Sequence, residues 1–261
     1  MMNFKIVRSV FVFVMCCLLA TATLAQEEST AHKTYHFNGS VSLTNNGFSF
    51  IPAFSLGKPA TIIDLSIGGK RFSFDPQFRF DLDGFRPWSF GFIWRYKVID
   101  KKRFTTKIGA FFPGLAYKEE SVITNGVASE KITVQRFFIP ELITNYKLSK
   151  KVSVGTYYIY GRGLEEVDQS KNTHFLSLQW SFDQLNLSKK VFLKFNPQFA
   201  YLNIDGVDGF FLASTTTIAL RGVPISISSI VNKAINSDIG SKDFDWNISL
   251  VYTFKNSFSK G

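Results

Sequence analysis

Three histidines, His32, His36 and His174, are the residues from which catalysis in this chain would have to start. The only other soft ligands or ready nucleophiles are Cys16 and Cys17, side by side near the N-terminus. A serine hydrolase needs a base within hydrogen-bond reach of its nucleophile and an acid that orients the base. His174 stands three residues before Ser177, and on an extended chain that spacing puts the two side chains on opposite faces. The pair fails as a dyad, and His174 reads as an interface histidine. His36 is free to meet a distant serine, but nothing in the sequence designates one. His32 lies in the N-terminal stretch. A metal site wants two or three clustered His or Cys, and there is none. Glu119-Glu120 and Glu165-Glu166-Asp168 offer oxygen donors of the kind divalent cations take, although solvated loops have the same composition. There is no P-loop, and Gly161-Arg162-Gly163 is too short for a dinucleotide fingerprint. No catalytic residue, metal site or cofactor is expected.

The charged residues are more informative, because they recur on one side of a two-residue period. Phe72, Phe74, Pro76, Phe78, Phe80 and Leu82 alternate with Arg71, Ser73, Asp75, Gln77, Arg79 and Asp81. Trp88, Phe90, Phe92, Trp94 and Tyr96 alternate with Ser89, Gly91, Ile93, Arg95 and Lys97. Side chains of a strand point alternately to opposite faces, so each segment has an aromatic face and a polar, charged one. Lys190 to Asn203 and Phe244 to Phe254 repeat the pattern. Weaker copies span 34–44, 48–57, 60–69, 103–117, 131–148, 151–165, 172–184, 209–221 and 223–235. Asp75, Arg79, Arg95, Lys107, Glu141, Lys147 and Lys194 all fall on the polar side, near strand middles.

Composition decides what such strands can build. Aromatic residues make up 16% of the 261, with 29 Phe, against 19% charged residues and a mean hydropathy of +0.05. After residue 26 no apolar run reaches the ~18 residues of a membrane helix. A soluble sandwich also alternates, but it does not place ions along the middle of every strand. In a membrane barrel, lipid takes the aromatic face and a wet lumen takes the charges. A closed sheet also pairs every backbone group, which hydrocarbon requires. The expected fold is an all-β, transmembrane, antiparallel up-and-down barrel. Thirteen segments exceed the even count of bacterial single-chain barrels. Twelve strands follow if 34–44 lies outside the wall, or if 60–69 and 70–82 form one strand bent at Gly68-Gly69; the range is ten to fourteen.

The N-terminus reads as an export leader. Lys5 and Arg8 precede an apolar stretch from Ser9 to Ala22, and Thr23-Leu24-Ala25 offers small residues before Gln26. Cleavage there removes both cysteines, and with Lys5 and Arg8 gone the formal charge falls from +10 to +8. The expected organisation is a signal peptide at 1–25, a flexible segment at 26–33, a barrel at 34–254 and a tail at 255–261.

The connections fall into two classes. Gly69-Lys70-Arg71, Asp100-Lys101-Lys102-Arg103, Ser149-Lys150-Lys151 and Ser188-Lys189-Lys190 are short and basic. Those around Asp81 and Asp83, 118–130, Glu165 to Asp168, Asp205 to Asp208 and 236–243 are longer or acidic. They alternate along the chain from residue 82, so one rim is lysine-rich and the other acidic. Outer-membrane barrels have short periplasmic turns and longer external loops. Basic residues divided among turns and lumen do not form a nucleic-acid surface.

These features together resemble bacterial outer-membrane β-barrel proteins, and the Phe- and Lys-rich style resembles those of the Bacteroidota. The last strand carries the resemblance furthest. Trp246, Ile248, Leu250, Tyr252 and Phe254 match the alternating, aromatic-ended segment that the barrel-assembly machinery reads in that family. The seven residues beyond Phe254 depart from it. The resemblance implies a Gram-negative outer membrane, with its lipid and the assembly machinery as partners. Lumen residues of both signs, Asp64, Asp75, Asp81 and Glu141 against Arg71, Arg79, Arg95, Lys97, Lys107, Lys147 and Lys194, fit either a salt-bridged plug or a narrow pore. The expected function is a porin-like pore or binding channel for small polar solutes with weak anion preference. A non-conducting structural or adhesive barrel is the alternative, and a lipid-modifying enzyme a weaker one. Pro52, Pro76, Pro113, Pro140 and Pro197, which cannot donate to a ladder, are expected at bulges or strand ends.

Overall fold

Alternation through the whole chain folds as it reads, into antiparallel strands that each pair with the next. The computed structural model describes residues 34–49, 55–124, 127–166 and 169–259, with no description of the side chains of 121–129. The leader, the 26–33 segment with His32, Pro52, Asp168 and residues 260–261 lie outside the described residues. The strands are β1 (Thr34–Thr44), β2 (Ala60–Gly68), β3 (Phe72–Asp81), β4 (Pro87–Asp100), β5 (Phe104–Thr124), β6 (Val127–Lys147), β7 (Val152–Gly163), β8 (Asn172–Asn186), β9 (Val191–Ile204), β10 (Val207–Leu220), β11 (Ile225–Ser237) and β12 (Phe244–Ser259). β12 returns to β1, and the sheet is a closed barrel of twelve strands. The barrel unit is Tyr35–Phe258.

Twelve is the expected number, but neither expected route leads to it. Thr34–Thr44 is in the wall, and β2 and β3 are separate strands joined by a tight turn in which the Gly69 N–H donates to the Phe72 carbonyl at 2.9 Å. The surplus segment is 48–57. Among its described residues the chain bonds to itself: Gly47 N–H donates to Lys58 C=O, and the Leu56 and Gly57 N–H groups donate to Gly47 C=O. Ser55 Oγ accepts the Ser49 N–H and donates to the Ser49 carbonyl, at 3.0 and 2.9 Å. A serine that satisfies local backbone this way competes with a ladder.

Three further boundaries are corrected. Residues 118–130 are not a loop, because β5 and β6 have 21 residues each and remain paired as far as Thr124 and Val127. That is about twice the ~9–11 residues needed to cross a membrane, so the hairpin stands beyond the wall. The β9–β10 connection is the two-residue turn Asp205-Gly206, with φ of 51° and 93°. Positive φ at both positions suits the twist of a tight hairpin and favours glycine at the second. Residues 255–259, expected in the tail, complete β12.

The two faces separate as the alternation requires. Trp94, Ile108, Leu176, Leu212, Ile227 and Leu250 project outward and are exposed on strands all around the wall. A continuous apolar belt of this kind fits hydrocarbon and not water. No helix among the described residues is long and apolar enough to cross a membrane.

Proline obeys a rule the sequence did not disclose. Pro113 lies where the β5 register shifts against both neighbours, as expected. Pro76, Pro140 and Pro197 lie within strands, which corrects that expectation. Each keeps continuous pairing on one side, opposite Phe92, Ala110 and Ser214. On the other side the ladder lapses, with β2, β7 and β8 respectively. A residue's N–H and C=O point to the same neighbour, so a missing donor costs one ladder and not both.

Candidate functional site

Inside the barrel, four of the seven expected lumen residues sit close together and three do not. The centre is Arg95 on β4. Its Nη1 donates to Asp75 Oδ2 at 2.8 Å, and its Nε and Nη2 donate to Glu141 Oε1 and Oε2 at 2.5 and 3.2 Å. Arg95 and Glu141 are not on adjacent strands. Gly109 of β5 pairs with both, and a Cβ there would stand 2.6 Å from Glu141 Oε1 and 2.7 Å from the Trp94 carbonyl. Glycine at this position opens the space through which the fork reaches its carboxylate.

Smaller polar groups saturate the acids. Tyr157 OH donates to Glu141 Oε2 at 3.0 Å. Ser66 and Ser73 donate to Asp75 at 2.6 and 3.1 Å, and His36 Nε2 is 3.0 Å from Ser66 Oγ. His36 therefore does meet a distant serine. The acid, however, accepts from that serine and does not orient the histidine, and all three groups face the lumen. That is not the arrangement of a hydrolytic triad. His174 points to the outer face, where Tyr158 OH lies 2.9 Å from its Nδ1, while Ser177 is fully buried on the inner face. The two side chains face opposite sides of β8, as their spacing predicts.

Arg79 differs from Arg95. It forms no direct ion pair with a described carboxylate, although Asp64 lies near it with its own Oδ1 buried and unpartnered; its Nη2 is 3.4 Å from Gln77 Oε1, and its Nε is buried without a partner. Its guanidinium lies 5.3 Å from the centroid of Trp88. Trp88 corrects the expected outer face: the β3–β4 register slips between Arg79 and Phe80, and the tryptophan turns inward, 4% exposed. A bulge re-aims a side chain in this way.

Arg79, Gln77 and Ser89 of β3 and β4, with Tyr157 of β7, give a cavity of about 220 Å³ its polar lining; Phe111, Ile139, Ile159 and Phe175 give it its apolar lining. The apolar wall belongs to a buried cluster that continues through Phe137, Ala200, Leu202 and Phe211. The inner face thus carries a charged centre built mainly on β2–β4 and completed by Glu141 and Tyr157, and an apolar cluster on β5–β10 set among polar residues such as Gln135, Ser177 and Gln198. The sequence reading missed this, although inward positions such as Phe137, Ile139, Ile159 and Phe175 carried the signal.

Lys107, Lys147 and Lys194 stand apart from this centre, near the short turns. Lys147 is the last residue of β6, so it is not near a strand middle. None of the three forms an ion pair among the described residues. Lys194, Arg221 and Lys255 surround a recess of about 360 Å³ at this rim. At the other rim three of the acids are matched by arginines. Arg86 holds Glu119 and Glu130 at 2.8 and 3.0 Å, and Arg136 holds Glu165 at 2.7 Å. The hydrogen bonds and charge of Arg136 hold the Glu165 carboxyl below the usual carboxylate range. Among the described residues no three His, Cys, Asp or Glu side chains are grouped to hold a metal ion. Trp246, Ile248, Leu250 and Tyr252 are exposed on the outer face of β12, while Phe254 packs tilted against Phe37 with ring centroids 5.3 Å apart.

No family model matches this chain, and no curated protein matches it in sequence. Solved structures do. An outer-membrane channel from Pseudomonas putida F1 superposes with a TM-score of 0.50 at 10% identity, covering 88% of this chain and 98% of that one. The KdgM porin is similar at TM-score 0.47 and 10% identity, over 84% and 99% of the two chains. The NanC porin is similar at 0.48 and 9%, over 86% and 99%. At such identities the likeness is one of fold. The chain has the architecture of the bacterial outer-membrane β-barrels.

Proposed function

We propose that the barrel is a narrow pore or binding channel for small polar solutes, with weak preference for anions. One observation carries this reading: Asp75 and Glu141 are committed to Arg95, while the lysines nearer the short turns are free. Among the described residues Lys107, Lys147 and Lys194 form no ion pair, and Arg79 has only the Asp64 carboxylate near it. Unpaired cations at a mouth and along a low-dielectric passage raise the local anion concentration. The export leader delivers the chain to the outer membrane of a Gram-negative cell. There β12 serves as the segment read by the assembly machinery, and lipid covers the Phe-rich wall. No enzymatic role is assigned to the lumen. A second reading, a non-conducting structural barrel, draws support from the apolar cluster that fills part of the interior.

Planar-bilayer recording decides between the two. Discrete conductance steps are expected, with a reversal potential of anion-selective sign in a salt gradient. Lys147→Glu with Lys194→Glu should move that potential toward cations. A silent bilayer with correctly folded protein would favour the structural reading.

A further inference from the structure

The cavity beside Arg79 is built to take more than an inorganic ion. We propose that it binds a small amphiphilic monoanion, an aliphatic or aromatic carboxylate, with the carboxylate on Arg79 and the apolar body against Phe111, Ile139 and Ile159. The inference deepens the reading of the lumen as a solute passage and rests on it.

Three observations carry it. First, Arg79 is the cation on this cavity with capacity to spare. Arg95 also lines the cavity, but its fork is occupied by Asp75 and Glu141. Arg79 has a buried Nε with no partner and one long contact to Gln77. A buried guanidinium left short of acceptors is costly, and a carboxylate supplies two in the matching planar geometry. Second, the facing wall is apolar, with Ile139 and Ile159 each 6% exposed. That wall offers nothing to the hydroxyls of a sugar and gains by covering methylenes or a ring. Third, the centre is already rich in acids: Asp64 lies near Arg79, and Asp75 and Glu141 hold Arg95, so three carboxylates stand against two guanidinium groups. A second carboxylate on the ligand would meet only repulsion there, which limits the ligand to a single charge carried by the open donors of Arg79.

Trp88 stands against Arg79 and makes the site observable. The other three of the four tryptophans, Trp94, Trp180 and Trp246, lie on the lipid-facing side of their strands. Replacing those three by Phe leaves a single lumen fluorophore, which is then titrated with hexanoate, hexanol and acetate in detergent. Hexanoate should shift Trp88 emission saturably, on the order of a hundredfold more tightly than acetate because it buries its methylenes. Losing the guanidinium–carboxylate bond in Arg79→Gln should weaken hexanoate about tenfold or more, to the level of hexanol. Arg79→Lys should restore part of the difference. Equal binding of hexanoate and hexanol by the parent protein overturns the proposal, as does equal binding of hexanoate and acetate. Should Arg79→Gln fail to fold, as judged by lost heat-modifiable migration on gels, the three-ligand comparison on the parent protein decides alone. Bilayer recording on the same sample separates the two readings. Saturable binding with silent bilayers removes conduction and leaves this site. Conductance without discrimination between the ligands leaves the pore and removes the site.

Discussion

The polar and apolar sides of the lumen solve the same problem by opposite means. On β1–β4 the inward positions include Asp64, Ser66, Asp75, Gln77, Arg79 and Arg95, reaching Glu141 and Tyr157 across the lumen, and order there comes mainly from directed hydrogen bonds. On β6–β10 they include Phe137, Ile139, Ile159, Phe175, Ala200, Leu202 and Phe211, and order in that cluster comes from close packing. A network is strong only while every member is present, because the loss of one strands the rest. A packed cluster loses in proportion to the volume removed. The difference teaches where the barrel tolerates change: piecemeal on the apolar side, all or nothing on the polar one.

The largest expected effect tests that contrast directly. Arg95→Met leaves Glu141, wholly buried, and Asp75 without their cation, and should lower stability in urea refolding into lipid by about 3 kcal/mol. Adding Asp75→Leu and Glu141→Met should recover much of the loss. If the triple variant is no better than the single one, the network is not cooperative and the contrast fails. On the apolar side Leu202, with 0% exposure, should lose about 2.5 kcal/mol as Leu202→Ala, with no second substitution able to restore it short of refilling the space. Ser66→Ala removes one donor from Asp75 and should cost about 1.5 kcal/mol. That is a smaller step, but larger than the deletion of one methylene in Ile159→Val at about 1 kcal/mol.

The smallest effect lies outside both sides, at the acidic rim. The Glu165 carboxyl is depressed below its ordinary value by Arg136, so its contribution is present above the unfolded-state value. It is lost as pH falls through the lower, folded-state value. Protection of the 164–166 backbone against hydrogen exchange, measured relative to the intrinsic rate at each pH, should fall on acidification through the lowered carboxyl value, and Arg136→Met should remove that fall. Unchanged protection in acid would mean that the exposed pair does not order this loop.

How much could be read in advance followed from the strength of alternation. On β3 and β4 aromatic and charged residues differ so sharply that Asp75, Arg79, Arg95 and their outward neighbours were assigned correctly from parity. Trp88 escaped because a bulge adds one residue and reverses parity locally, which no two-residue pattern records. The 48–57 segment alternates like a wall strand. Its Ser55 and Gly47 nonetheless close a loop, since alternation reports a surface and not a partner. The hairpin 118–130 looked like a loop because its acids suit water, yet long strands beyond the membrane are solvated as well. Arg95 meeting Glu141 across Gly109 joins residues 46 apart in sequence, and it depends on register.

What the chain determined by itself was the local rule: extended backbone, one apolar side and one wet side, and therefore a closed sheet in a membrane. Side-chain period and the need to pair every backbone group require nothing beyond neighbouring residues. Tertiary structure alone decided which ions neutralise one another and which are left free. Register and bulges set those distances, and a one-residue slip would hand Arg95 different neighbours. The apolar lining beside Arg79 is a product of closure, because it comes from β5–β8, strands that Arg79 meets only once the barrel closes.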